Sequence, residues 1–150
     1  GARSAVDAPL HTGTVSISTS VRTEVTAASV REIFKELELI AAKPVTEKEL
    51  EMVKSYVVGS QALQIETPGQ VASFVKAVTL YGLPENYFDL FPDHVRLLDA
   101  ETLLTIATRW LRPDRMTIII TGDATAIQEE LKEFGPVTVV DEKGSEIAGR

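Results

Sequence analysis

The chain has 150 residues, 44% of them hydrophobic and 25% charged, and a formal net charge of −7. That length and apolar content suit one folded domain with a core of its own and exclude a disordered chain. The negative balance argues against nucleic acid and anionic membrane surfaces as partners, and no apolar run reaches membrane-spanning length.

The first residues, "GARSAVDAPLHTG", hold no apolar signal core. They also lack an initiator Met, which reads as the mark of a processed or truncated chain. "GTVSISTSV" (Gly13 to Val21) then alternates, with Val15, Ile17, Thr19 and Val21 on one face, and predicts a half-buried strand. Thr26 opens a helix whose apolar positions Val30, Ile33, Phe34, Leu37 and Ile40 follow three-and-four spacing. Thr46 and Glu49 have the spacing of a capping box before the next helix, with Val45 and Leu50 placed as a hydrophobic staple. Thr67, Pro68 and Gln70 repeat the device for a third helix, which Gly82 stops.

"YGLPENYFDLF" (Tyr81 to Phe91) reads as an aromatic connector, its rings packed beneath it. Asp99 caps "AETLLTIATRWL", where Trp110, in helical spacing with Leu104, Ala107 and Leu111, is expected in the core. "RMTIIITGDATAIQEELKEFG" (Arg115 to Gly135) predicts a strand, a turn at Gly122 and Asp123, and a helix. "PVTVVD" (Pro136 to Asp141) predicts a last strand, followed by a loose tail to Arg150. No repeat or linker interrupts this order. Consecutive helices between strands that share a sheet define an α+β fold in a single domain.

Little catalytic chemistry is visible. Cysteine is absent, so disulfides and thiolate nucleophiles are excluded. His11 and His94 are the only histidines and have no partners at metal-ligand spacing. There is no Gly-x-Ser-x-Gly elbow, and the carboxylate pairs Glu47/Glu51 and Glu129/Glu133 sit at helical spacing on polar faces. The turn "TGDATA" has the layout of a phosphate site but only one glycine and no lysine. Asp123 is an ordinary N-cap that would occupy the amides a phosphate needs.

Three stretches, in order, carry a resemblance. They are "GARS" with "HTGTVSISTSVRTEVTAASVREIFKEL", then "PVTEKELEMVKSYVVGSQALQIETPGQVA", then "YGLPENYFDLFPDHVRLLDAETLLTIATRWLRPDRMTIIITGD". Together they resemble the insulinase and mitochondrial-processing-peptidase family, the pitrilysin-like zinc peptidases with an inverted motif, in the back part of a C-terminal, non-catalytic half. The resemblance implies a mostly antiparallel sheet with helices packed on one face. It also implies two halves closing around a chamber, one carrying His-x-x-Glu-His and the zinc, the other a wall that grips peptide. This chain has no His-x-x-Glu-His, and after Lys54 it reads "SYVVGSQAL", without the distal glutamate of catalytic halves. The resemblance therefore implies no cofactor here, zinc in the catalytic half, and that half or a companion subunit as partner.

The family's Arg/Tyr pair that holds the substrate backbone would fall before Gly1, which leaves Arg3 and Ser4 as the residues placed to line the chamber. The family's domain also places strands and a helix before "GARS". Without them an open edge is expected along "TVSISTSV", which has no charge or proline to blunt it, and with it association with the remainder or self-association.

Overall fold

The computed structural model describes residues 1–62 and 67–147. The fold is α+β, mainly helical, with one small antiparallel sheet of two strands, β1 (Arg3–Asp7) and β2 (Thr14–Ser18). Among the described residues six α-helices follow: α1 (Thr26–Ala42), α2 (Glu47–Ala62), α3 (Pro68–Tyr81), α4 (Tyr87–Arg96), α5 (Ala100–Trp110) and α6 (Ala124–Leu131). Among the described residues no helix is long and apolar enough to cross a membrane. Contacts divide the chain into two compact units. One comprises Gly1–Val6, Val15–Glu38 and the chain from Arg112; the other comprises Asp7–Thr14 and Leu39–Leu111.

The first unit is centred on Ala27, Ile127 and Leu131, with Val30, Ile120 and Phe134 packed around them. The spacing of Val30, Ile33, Phe34 and Leu37 turns one stripe of α1 inward, whereas Ile40 lies beyond it, 42% exposed. Phe34 stacks on Phe134 with ring centroids 5.9 Å apart, and the Arg31 guanidinium pairs with Glu133 beside them.

The second unit holds Leu50, Val95 and Ala107 as its buried apolar residues, with α2 packed on α4. Its helix ends follow the capping chemistry. Thr67 and Gln70 form a reciprocal box, and Gly82, at φ 61° and ψ 35°, adopts the left-handed conformation that closes α3.

Several elements differ from expectation. β2 ends at Ser18, so Thr19 and Val21 lie outside the strand and are exposed. Thr117–Thr121 enters no sheet. Its isoleucines favour extended backbone, but a strand needs a ladder partner, and β1 and β2 pair with each other. Pro136–Asp141 contributes only a single bridge, Val140 to Glu146, because the chain folds back at once through Asp141 and Gly144. Trp110 is not core but 64% exposed. At 100° per residue it lies roughly 90° from the mean direction of Leu104, Ala107 and Leu111, and the Arg109 guanidinium covers its ring at 5.1 Å. The tail from Ala148 lies outside the described residues.

The aromatic connector is also a correction, since from Tyr87 it is helix α4. Tyr87, Phe88, Phe91, Pro92 and Val95 repeat at helical intervals and form its covered face. Pro92 conceals this in the sequence, because it lacks the N–H that would bond the Phe88 carbonyl one turn earlier. Gln61 of α2 replaces that donor: its Nε2 donates to Phe88 O at 3.2 Å. Gln61→Ala should therefore cost roughly 0.5–1.5 kcal/mol. The cost should fall close to zero in a Pro92→Ala background, where the restored amide at position 92 takes over. A double-mutant cycle by urea denaturation measures the difference; equal costs in both backgrounds would refute the exchange.

Candidate functional site

The hairpin β1–β2 positions the two residues singled out as chamber-lining. It turns through Ala8–Gly13, and Gly13 is required there because a Cβ would lie 2.8 Å from the Asp7 carbonyl oxygen. Successive strand residues face opposite sides, so Arg3 and Ser4 point away from each other. Arg3 lines a shallow open depression of about 550 Å³ together with Gly1, Ala2, Ser18, Thr19 and Ser20, while Ser4 does not. Among the described residues the Arg3 guanidinium has no ion-pair or hydrogen-bond partner. The depression thus offers a cation and three hydroxyls to an oxygen-rich ligand such as a peptide carbonyl or carboxylate. It contains no paired nucleophile and base. The lining hydroxyls Ser18, Thr19 and Ser20 carry no sequence signal beyond their place at the end of an alternating strand.

A second depression, of about 450 Å³, lies on the helical unit between α3 and α4. Gln70, Ser73, Phe74, Ala77 and Phe88 line it, with Phe74 and Phe88 edge to face at 4.2 Å. Its polar groups are engaged locally: Gln70 Oε1 accepts from Thr67, and Ser73 Oγ donates to the Gly69 carbonyl. It is an apolar dimple without converging polar groups.

The residues expected as caps all bond at helix starts. The Thr46 amide donates to Glu49 Oε2 at 3.0 Å, and the Glu49 amide donates to Thr46 Oγ1 at 3.3 Å. The Thr46 hydroxyl holds the Glu49 carboxyl below its ordinary range. The Thr102 amide donates to Asp99 Oδ1 at 2.7 Å and lowers that carboxyl in the same way. At the Gly122–Asp123 turn the Thr125 hydroxyl and amide donate to Asp123 Oδ1 at 2.6 and 3.0 Å, lowering the carboxyl, hydroxyl first. An anionic side chain already occupies the start of α6, so the turn is a cap and not a phosphate cradle.

Among the described residues no three His, Cys, Asp or Glu stand together as a ligand set. His94 is exposed in the last turn of α4, and the Tyr87 ring is its aromatic neighbour at 6.4 Å. His11 is exposed in the hairpin turn. Compared with models of known protein families and with curated proteins, the chain matches none.

Proposed function

We propose that this chain is a C-terminal, non-catalytic portion of an insulinase-type zinc metallopeptidase. It forms substrate-chamber wall and half-to-half interface, and hydrolysis takes place at a zinc site in the other half. The observation that carries this reading is the order of the three resembling stretches along nearly the whole chain. Two features support it. Arg3 lines a polar depression and has no ion-pair or hydrogen-bond partner among the described residues, as suits a residue that donates to a peptide carbonyl. Large apolar side chains such as Tyr56, at 75%, and Leu97, at 80% exposed, also favour a chain that works against a partner. The alternative, a zinc-free core or companion subunit, shares the interface but not the peptide contact.

The test is co-expression with a family catalytic half carrying His-x-x-Glu-His, followed by a fluorogenic peptide assay. Chelator-sensitive cleavage should require both chains. Arg3→Ala should raise KM several-fold while leaving the association intact. Association without any turnover would select the companion-subunit alternative, and failure to associate would remove both.

A further inference from the structure

Thr117–Thr121 is an apolar segment between a 3-10 turn (Pro113–Arg115) and α6, and it enters neither helix nor sheet. No backbone hydrogen bond joins it to another described residue. Its alternation is nonetheless that of a strand. Ile120 packs on the Ala27–Ile127–Leu131 cluster, whereas Ile119 points outward and is 88% exposed. A row of free N–H and C=O groups on β-branched residues takes another strand, unless charge, proline or a bulge blocks it. Thr117–Thr121 has no charge and no proline.

The sequence of the segment specifies which strand. "TIIIT" reads the same in both directions. In an antiparallel pair of two copies centred on Ile119, Thr117 faces Thr121, Ile118 faces Ile120, and Ile119 faces its own counterpart. The same register carries Arg115 of each copy to Asp123 of the other, and Met116 to Gly122. Arg115 is exposed and has no ion-pair partner among the described residues. Asp123 is exposed, and its cap bonds all run through Oδ1, leaving Oδ2 open. Both ends of the pair are then closed by opposite charges, as a two-fold interface requires.

We propose that this segment is a self-recognition strand, through which two copies of the chain join antiparallel about Ile119. The inference does not rest on the peptidase reading. It places self-association at a different edge from "TVSISTSV", whose strand has β1 as a partner on one side.

The absence of cysteine makes a direct test possible. In the 150-residue chain, Ile119→Cys places one thiol of each copy at the two-fold axis. Directly opposed antiparallel residues have Cα atoms about 4.5–5.5 Å apart, within disulfide reach. Under mild oxidation this variant should form a covalent dimer at least tenfold faster than Leu97→Cys, an equally accessible control. Light scattering on the unmodified chain should give twice the chain mass at high concentration. Arg115→Glu should raise the dimer Kd about tenfold, and Lys76→Glu, an identical change of charge on α3, should leave it unchanged. Equal cross-linking of the two cysteine variants, a monomer at every concentration, or a dimer indifferent to Arg115→Glu would each overturn the proposal.

Discussion

Leu131→Ala is expected to cost about 2–5 kcal/mol of stability, the range for truncating a buried leucine. Leu131 closes α6 over Ala27 and forms with Ile127 the buried cluster of the first unit, while Leu37 of α1 is buried outside it. Val30, Ile120 and Phe134 pack around the cluster and can close only part of the space left behind. The loss is therefore the transfer term plus most of the cavity term. Two features keep α6 seated for this contact. The Asp123 cap fixes its start, and the Arg31–Glu133 pair lies just beyond its end. That pair is exposed on both sides and contributes little by itself. Urea denaturation followed by circular dichroism measures the loss. Leu97→Ala is the control, since that side chain is 80% exposed and its removal should stay within about 0.5 kcal/mol of neutral. Equal losses for the two variants would show that the cluster is not what holds this unit together.

The sequence is most legible where structure is local. A cap needs only two residues three apart, so Thr46 with Glu49, Thr67 with Gln70, and Asp99 ahead of Thr102 are visible as plain spacing. The first ten residues of α1 are equally plain, because one amphipathic stripe decides which face turns inward. What depends on a distant partner is not legible. "TIIIT" has every local mark of a strand, yet whether it enters a ladder is decided by whether another edge reaches it. Trp110 fails for a related reason: apolar character and approximate spacing do not replace the exact angle around the helix. α4 hides because Pro92 lacks the amide of a helix interior, while the donor that compensates for it, Gln61, lies on another helix.

The candidate site is legible only in part. Arg3 and Ser4 are neighbours in sequence, and a resemblance carries both to the chamber, but strand alternation separates them. Arg3 faces the depression and Ser4 does not. Under the proposed function a role that requires both on one surface is unsupported, and a peptide contact would fall to Arg3 with the hydroxyls of Ser18, Thr19 and Ser20.

Leu50→Ala is expected to match Leu131→Ala, at about 2–5 kcal/mol, in the second unit. Leu50 is 4% exposed and the only buried side chain among the described residues of α2. The same helix leaves Met52, Val53 and Tyr56 more than half exposed, so Leu50 is the most deeply covered apolar contact that seats α2, with Val57 and Val58 half-buried further along. Capping makes the contact possible. The Leu50 amide donates to the Thr46 carbonyl at 2.9 Å as the first turn closes, while the Glu49 carboxylate returns to the Thr46 amide. Val45, half-buried just before the cap, stands where a hydrophobic staple to Leu50 belongs. Losing Leu50 should loosen α2 and with it the Gln61 bond that supports α4 across Pro92. Hydrogen exchange should accordingly rise in both helices, not in α2 alone. Met52→Ala, at a position 67% exposed, should leave both helices protected. Faster exchange confined to α2 would show that α4 stands without it, and an equal effect of Met52→Ala would show that burial at position 50 is not what seats the helix.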